Sequence, residues 1–514
     1  MGWWFWEIIL SCTVLSAGAC VIPRGGPAPM PRYNLPSEIA YNLGPYSARY
    51  VVDQFGSYPP VSTALPNGCE VTQVNILHRH GARLPVTGQT EAINLAIGKV
   101  FKAISKDPDA IKNTPLSFLS NWQFPNASNS LVDFGREQGY VSGVQTAQTY
   151  QDLARRGGIF IRTTNIDRVL ETSRLFRYGF NEVMYSVAKD TPEAPDIIIP
   201  VGTNNTLSCK TCKSDKSATG ERIAMMIKSA KVADQWLATY APPIAARLQS
   251  YLPGLTLTDS DVRFLMSLCG FETAYLGEKE TSPWCTVFSN GEWLSNEYWY
   301  DLEKYWGEGY GNPLGRARGS GWVNELVARL TGSSVSMSGC VNRTLDTDPA
   351  TFPLPPNAPS IFADFSSDNN MAGILSALGI LHDDMPLPPL GPPPADRLWV
   401  ASKLVPFATK LVVEKISCDG TKGLQPGQKQ RQRERMVVAG GNFLDIDEKI
   451  LSFPTSISDI PYVRIILNDA VVPMVFAGCG DLASSSGICH LDAFVAAQAF
   501  STGGGEWDEL CTTS

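Results

Sequence analysis

The amino-acid sequence predicts a mixed α/β core with an inserted, mostly helical subdomain. Residues 69–77 (CEVTQVNIL) and 361–363 (IFA) are short and apolar or β-branched, and each leads through polar residues into a helical pattern. Residues 171–344, between them, show helical periodicity in several places. Strands on both sides of a helical stretch favour one core, residues 44–170 and 345–514, with residues 171–344 as a cap.

The predicted helices have apolar faces. The pattern becomes helical over residues 89–104, and GWVNELVARLTG (321–332) has a stop at Gly332. In the aromatic segment 293–306, helical spacing predicts a core-facing stripe rather than a sugar-stacking surface, formed by Trp299, Leu302 and Trp306. Two further stripes predict buried faces: Val323, Leu326, Val327 and Leu330, and then Met371, Ile374, Leu375 and Leu378.

Four segments near the C-terminus predict strands, with Asn468-Asp469 as a turn between the last two. They are RLWVASKLVPF (397–407), KLVVEKI (410–416), YVRIILN (462–468) and VVPMVFAG (471–478). Residues 419–461 contain TKGLQPGQKQRQRERM, a basic run with no alternation and no apolar stripe. We expect an atypical insertion that forms a solvated loop rather than a nucleic-acid-binding patch.

The N-terminal residues predict export. Residues 1–19 form an apolar run that ends in small residues, which is typical of a secretory signal cleaved near Ala19, although it lacks the usual positive start. Because the run is almost long enough to cross a bilayer, an uncleaved membrane anchor is the alternative. Residues 20–43 are a Pro/Gly-rich arm, and we expect ordered structure from about residues 44–50.

The cysteines and the sequons agree with an oxidising compartment. Twelve cysteines are present, and Cys209 and Cys212 form a C-x-x-C without the second pair or the nearby histidine of a metal site. We therefore expect disulfides and no metal. N-glycosylation sequons occur at Asn126, Asn204 and Asn342.

The charge of the chain directs attention to one local cluster. The 514 residues have a formal net charge of -8, which gives no general reason to bind nucleic acid or an anionic membrane. Yet in NILHRHGARLPVTG, at the end of the first predicted strand, His80 lies between Arg79 and Arg83. Guanidinium forks suit a tetrahedral oxyanion, and an imidazole between two cations stays unprotonated and nucleophilic. Gly81 permits a close backbone approach at this turn.

The motif R-H-G-x-R-x-P is the signature of the histidine acid phosphatases, and the wider chain resembles the secreted fungal phytases. The resemblance extends to GNPLGRARGSGWVNELVARLTG, NRTLDTDPATFPL, FADFSSDNNM, RLWVASKLVPF and LNDAVVP, in the family's order. It covers roughly residues 44–511 apart from the basic insertion. The resemblance implies a phosphoglycerate-mutase-like α/β sandwich with a helical cap. It also implies an enzyme that hydrolyses phosphomonoesters, phytate above all, at acidic pH and without a cofactor.

The resemblance also implies the roles of individual residues. His80 would be the nucleophile that forms a phosphohistidine, with Arg79 and Arg83 on the phosphoryl oxygens. RTTNIDRV matches the family's stretch for a third arginine, Arg168. The family's His-Asp pair is Ser367-Asp368 here, so Asp368 keeps the role of proton donor.

Serine at the position of the family's histidine is the main departure. Ser367 is too short to reach where an imidazole reaches, and it cannot be cationic. We expect a phosphatase whose activity is reduced but not abolished, because the nucleophile, the acid and three arginines remain. The alternative is a catalytically impaired homologue that binds phosphate or associates with the cell wall.

The resemblance suggests disulfides between Cys69 and Cys418, Cys269 and Cys285, and Cys479 and Cys489. Cys511 would pair with Cys209 or Cys212, which leaves Cys340 and the other cysteine paired or free. We expect a secreted, extracellular protein, a monomer or weak oligomer, that acts on small phosphomonoesters without nucleic-acid or membrane partners after signal cleavage. Among the other histidines, we expect His78 to be structural or on the surface, and neither His382 nor His490 to be functional.

Overall fold

The computed structural model describes residues 28–125, 127–187, 196–209, 221–356, 358–419, 460–476 and 478–512. Its strands are β1 (Cys69–Arg79), β2 (Ile159–Thr164), β3 (Ile197–Ile199), β4 (Ile361–Ser366), β5 (Lys410–Cys418), β6 (Ile460–Leu467), β7 (Ala470–Val471) and β8 (Ile488–His490). The N-terminal half contains α1 (Ser37–Ala40), α2 (Thr87–Ile104), α3 (Asp133–Thr149), α4 (Gln151–Gly157), α5 (Asp167–Val187), α6 (Glu221–Tyr251) and α7 (Asp259–Leu276). The remaining helices are α8 (Asn290–Gly307), α9 (Pro313–Thr331), α10 (Asp368–Leu378), α11 (Ala401–Leu404), α12 (Gly480–Ser486), α13 (Leu491–Ala497), α14 (Ala499–Thr502) and α15 (Trp507–Thr512).

The described strands form one mixed sheet. Their order is β3-β2-β4-β1-β5-β6-β7, and β8 also pairs with β6. β3, β2, β4 and β1 run parallel, and β5 to β8 pair antiparallel. β1 and β4 are adjacent, with Arg79 in register with Ser366. The chain segments that follow these two strands therefore meet at one edge of the sheet, where ligands of α/β folds bind.

Helices pack on both faces of the sheet. Val74 and Ile76 of β1 belong to one buried cluster with Phe176 of α5, whereas Leu77 belongs to a second cluster with Met371 of α10. This alternation is the period-two pattern of a strand. Both predicted stripes on α9 and α10 are buried, and each helix ends at a glycine in the left-handed conformation, Gly332 or Gly379.

The helical region, α6 to α9, also contacts α2 and α10. α6 contacts both α7 and α8, α7 contacts α2, and α9 contacts α10. This region contributes aromatic side chains to the main core, among them Trp293 of α8 and Trp322 of α9, which are fully buried. No helix among the described residues combines the length and the apolar character that a bilayer span requires.

Two predicted C-terminal strands are wrong. Residues 397–407 contain the short helix α11. The segment has an apolar pattern because it is buried against the helical region, where Trp399 packs on Tyr305 and Tyr310. Residues 471–478 continue the sheet only in β7, and Pro473 has no N–H to donate to a neighbouring strand. The predicted segments 410–416 and 462–468 do lie in β5 and β6.

Other boundaries also differ from the expectation. β1 and β4 continue to Arg79 and Ser366, beyond the predicted ends. The expectation that packing begins near residue 44 is wrong, because Tyr33 is buried and its hydroxyl donates a hydrogen bond to the carbonyl of Tyr46. The predicted signal segment, residues 1–19, and most of the basic insertion, residues 420–459, lie outside the described residues.

The described residues contain four disulfides. Three are the pairs that the family resemblance suggested, Cys69–Cys418, Cys269–Cys285 and Cys479–Cys489. The fourth joins Cys209 to Cys340, so Cys209 is not the partner of Cys511. Cys212 lies outside the described residues, as does the sequon residue Asn126.

A buried ion network ties the sheet to α9. The carboxylate of Asp364 in β4 accepts hydrogen bonds from Arg162 in β2 at 2.8 Å and from Arg329 in α9 at 2.9 Å. Arg162 also donates to Glu325 of α9 at 2.5 Å. Burial raises the pKa of Asp364, but the charges of Arg162 and Arg329 outweigh it and hold this pKa well below its usual range. Asp364 thus stays charged, two residues before the end of β4.

Replacing Asp364 with asparagine should destabilise the fold by about 3–5 kcal/mol, because buried Arg329 loses its counter-charge and buried Arg162 keeps only its contacts with other acids such as Glu325. Urea unfolding followed by intrinsic tryptophan fluorescence measures the change. The control is Arg155→Gln, which breaks an exposed pair with Asp152 at 3.2 Å and should cost about 1 kcal/mol or less. Equal effects of the two substitutions would contradict the structural role of the network.

Candidate active site

Two loops that sequence reasoning singled out lie side by side at the sheet edge. β1 leads into His80 and Arg83, and the adjacent parallel strand β4 leads into Ser367 and Asp368. The amide of His80 donates to the carbonyl of Ser366 at 3.2 Å, which joins the two segments directly.

The loop after β1 is held by a close backbone contact with α3. A Cβ atom on Gly81 would collide with the carbonyl of Gly135, and one on Gly135 would collide with the carbonyl of Ala82. The amide of Gly81 donates to Thr172 Oγ1 at 3.1 Å, and that of Ala82 donates to Gln138 Oε1 at 2.9 Å. The sequence indicated a close approach at Gly81, whereas its partner Gly135 gave no signal.

The imidazole of His80 has one ring nitrogen without a proton. Its Nδ1 lies 2.8 Å from the carbonyl oxygen of Gly81, which can only accept, so Nδ1 carries the proton. Nε2 is therefore a bare lone pair, and it is buried with no hydrogen-bond partner among the described residues. Burial holds the pKa of His80 well below its usual value, and the charges of Arg79, Arg83 and Arg168 lower it further.

Arg79 is fully buried beside Asp368. Its Nη1 donates to the carbonyls of Pro45 and Val405, the latter at 2.6 Å, and its guanidinium carbon lies 4.6 Å from the centroid of the Phe407 ring. Its Nη2 lies 3.5 Å from Asp368 Oδ1 and has no hydrogen-bond partner among the described residues. Arg79 is therefore fixed on one side and retains a donor on the other.

The two loops form the floor of a cavity of about 550 Å³. Arg83, Arg168, Ser367 and Asp368 line it, and helices α7 to α9 supply the opposite wall. Arg168 is the second residue of α5, and its guanidinium has no ion pair among the described residues. Burial lowers the pKa of Arg168, and the charge of Arg83 adds to the effect, which reflects two cations at one site.

Asp368 begins α10 and contacts two cations. Lys304 of α8 reaches its Oδ2 at 2.8 Å, opposite the contact of Oδ1 with Arg79. Burial raises the pKa of Asp368, but Arg79 and Lys304 outweigh it, and this pKa lies well below its usual range. Lys304 also donates to Asn369 Oδ1 at 2.5 Å. Sequence reasoning missed Lys304, which lies 64 positions before Asp368 in a segment interpreted only by its aromatic stripe.

Ser367 is the N-cap of α10, and its side chain makes no capping hydrogen bond. It lines the cavity next to Asp368. The adjacent Ser366 is buried and donates to the carbonyl of Leu207 at 2.6 Å. The position that the family gives to histidine is thus open toward the cavity.

The opposite wall carries charges that the sequence did not single out. Arg263, Arg318, Glu303 and Glu308 all line the cavity. Burial raises the pKa of Glu308 to about 7, aided by the acids Glu303 and Asp368 and opposed by Arg318 and Lys304. Glu308 lies 3.6 Å from Arg318. The cavity lining then has five cations, Arg83, Arg168, Arg263, Lys304 and Arg318, against three acids, Glu303, Glu308 and Asp368.

None of the four histidines, His80 included, is among the residues that line this cavity. His78 is buried, with Nε2 2.8 Å from Ser142 Oγ, and burial lowers its pKa to about 3, so it is a structural residue. His382 is exposed beside Tyr310, and His490 packs on Tyr462. Trp299 was interpreted only as a core residue. It is buried, but it also lines the cavity. Within the described residues, no group of His, Cys, Asp and Glu side chains could hold a metal ion.

An unprotonated imidazole among three guanidinium groups, at the carboxyl ends of two parallel strands, defines a site for a tetrahedral oxyanion such as phosphate. Residues 70–438 match the model of the histidine phosphatase superfamily, branch 2, and the chain belongs to this family.

Relatives of known activity extend the match over nearly the whole chain. Phytase A from Aspergillus terreus is 33% identical over 519 residues, which cover 98% of this chain and 98% of the relative. Phytase A from Aspergillus fumigatus is 33% identical and covers 92% of each chain. The crystal structure of the phytase from D. castellii has a TM-score of 0.64 at 21% identity, covering 93% of this chain and 88% of that one. The chain is thus a phosphoric monoester hydrolase with the predicted α/β phosphatase fold.

Gly135→Ala should reduce phosphomonoester hydrolysis at least tenfold, because the new methyl group displaces the backbone at Ala82 and with it the imidazole. The matched control is Gly98→Ala in α2, where nothing lies within 4 Å of the added Cβ and helix propensity favours alanine. Steady-state rates on one chromogenic ester compare the two. Equal activities of both variants would contradict the positional role of the Gly81–Gly135 contact.

The pKa of Glu308 predicts a pH dependence of substrate binding. A carboxyl group with a raised pKa is neutral below that value, so the cavity gains one negative charge as pH rises through about 7. As pH rises through this range, KM for an anionic substrate should therefore rise more steeply in the unmodified protein than in Glu308→Gln. The ratio of the two KM values at each pH cancels the ionisation of the substrate itself. A ratio that stays constant from pH 5 to 8 would contradict the assignment.

Proposed function

We propose that this chain is a secreted acid phosphatase that hydrolyses phosphomonoesters, inositol hexakisphosphate in particular, through a phosphohistidine on His80. The observation that carries the proposal is the free, unprotonated Nε2 of His80 beside three guanidinium groups. Such a nitrogen can attack phosphorus while the arginines stabilise the charge that develops on the phosphoryl oxygens.

In the first step, His80 Nε2 forms a bond to phosphorus as the ester P–O bond breaks. Asp368 gives its proton to the leaving oxygen. In the free enzyme Arg79 and Lys304 keep Asp368 ionised. A bound phosphoryl group draws the charge of Arg79 toward itself, which raises the pKa of Asp368 and allows protonation at acidic pH.

In the second step, a water molecule attacks the phosphohistidine. Asp368, now a carboxylate, accepts the proton of the water as the new P–O bond forms. The N–P bond breaks and returns the electron pair to Nε2. Lys304 holds Asp368 in place throughout, since it grips the other carboxylate oxygen at 2.8 Å.

The charge of the cavity supports a highly anionic substrate. Its lining holds five cations against three acids, and Glu308 is neutral in acid, so the excess of positive charge grows as pH falls below 7. A cavity of about 550 Å³ suits a compact ring with several phosphates. The relatives named phytase A support the same substrate class.

Secretion is supported by features along the chain. The signal-like residues 1–19 and the four described disulfides agree with an oxidising, extracellular compartment. The side chain of Asn204 is exposed and that of Asn342 is partly exposed, as glycan acceptors require.

His80→Ala should abolish release of phosphate from both a chromogenic phosphomonoester and inositol hexakisphosphate, because the phosphohistidine cannot form without the imidazole. Phosphate release is measured at acidic pH against the unmodified protein. Equal rates for the two proteins would favour the alternative of a phosphate-binding homologue without catalytic power.

Ser367→His should raise turnover by about a hundredfold, because an imidazole supplies one further phosphate contact in the transition state. Ser367→Ala serves as the matched control and should change turnover little, since the serine side chain makes no capping hydrogen bond. A histidine variant with no gain on any phosphomonoester would show that Ser367 does not limit the reaction.

A further inference from the structure

One guanidinium group in the cavity has no role in the proposed reaction. Arg263 of α7 lines the wall opposite the catalytic loops. Its guanidinium carbon lies 4.0 Å from the centroid of the Phe264 ring and 4.3 Å from that of Trp299, and both rings also line the cavity. Two aromatic rings from two helices thus hold this side chain in one orientation.

Arg263 lacks the acidic partners that other cations of the wall possess. Lys304 pairs with Asp368 and Arg318 with Glu308. Among the described residues, no carboxylate or carbonyl accepts from Arg263, and its Nε is buried without a partner. Arg168, which is assigned to the reacting phosphate, is in the same condition. A guanidinium group that is held in place without an acidic partner is suited to bind an anionic ligand.

Two phenol hydroxyls share this condition next to Arg263. Tyr300 lines the cavity, Tyr240 lies behind it, and both hydroxyls are buried without a hydrogen-bond partner in the described residues. Burial raises the pKa of each phenol, and the charge of Arg263 opposes the rise in both, so the three groups are neighbours. Buried polar groups are nearly always hydrogen-bonded, and three unsatisfied donors together call for an acceptor.

The cluster is separate from the reaction centre. Among the described residues, the ring contacts of Arg263 and Tyr300 are with Phe264, Trp299 and Tyr46, and neither side chain contacts His80, Arg168 or Asp368. Lys304 and Glu303, on the last turns of α8, line the same cavity. An anion at Arg263 would therefore belong to a phosphate other than the one that is cleaved.

We propose that Arg263 and Tyr300 form a second phosphate subsite, which binds a non-reacting phosphate of a polyphosphorylated substrate. The subsite rests on the proposed phosphatase function and deepens it, because it selects polyphosphates over simple esters. A substrate with one phosphate engages only the floor of the cavity and gains nothing from Arg263.

The test is the substrate preference of Arg263→Met, whose unbranched side chain keeps the contacts with Phe264 and Trp299 but not the charge. Steady-state kinetics use inositol hexakisphosphate and p-nitrophenyl phosphate in parallel. KM for the hexakisphosphate should rise at least tenfold, and both kinetic constants for the simple ester should stay within twofold. Arg155→Met, the same substitution at an exposed site, should alter neither substrate.

Tyr300→Phe provides an independent variant, since it removes only a hydroxyl without a partner and should not impair folding. It should weaken binding of the hexakisphosphate and leave the kinetic constants for p-nitrophenyl phosphate unchanged. The subsite is overturned if both variants lose activity equally on the two substrates. It is also overturned if neither variant changes the kinetics of either substrate. If the unmodified protein hydrolyses nothing, the proposed function fails, and calorimetry with inositol hexasulfate still decides the subsite: Arg263→Met must weaken this binding at least tenfold, and unchanged affinity overturns the proposal.

Discussion

The hydrogen bond from His80 Nδ1 to the carbonyl of Gly81 is the constraint on which the site depends. It fixes the tautomer of the ring and leaves Nε2 without a proton and without a hydrogen-bond partner among the described residues. Burial, and then the charges of three guanidinium groups, lower the pKa of His80 and keep that nitrogen unprotonated. The backbone at Gly81 packs so closely against Gly135 of α3 that neither position has room for a Cβ atom. A small residue on a neighbouring helix is therefore as important to the chemistry as the charged side chains.

The charges of the site follow the architecture of the sheet. In β4, the Asp364 carboxylate accepts hydrogen bonds from Arg162 and Arg329. The same strand leads directly into Ser367 and Asp368. This buried ion network fixes the end of β4 and therefore the start of α10 at Asp368. Lys304 then joins α8 to α10, so the helical wall and the catalytic floor share one ion pair. The stability of the core and the placement of Asp368 are linked through a few residues of one strand.

The sequence was informative where the relevant residues lie close together along the chain. The cluster around His80 and the strand-loop-helix order near Asp368 were both visible, because the motif and the apolar periodicity are local. Gly135, Lys304 and Arg263 escaped notice, because they reach the site only through the packing of α3, α8 and α7. Residues 397–407 were misread as a strand, since burial among aromatic helices produces the same apolar run as a sheet.

The position of the phosphoryl group on the His80 ring tests the central claim most directly. Rapid mixing with ³²P-labelled substrate, followed by alkaline digestion, preserves the P–N bond and allows the two phosphohistidine isomers to be separated. The hydrogen bond to Gly81 predicts label on Nε2 only, with none in His80→Ala. Label on Nδ1, or on a residue other than His80, would contradict the account.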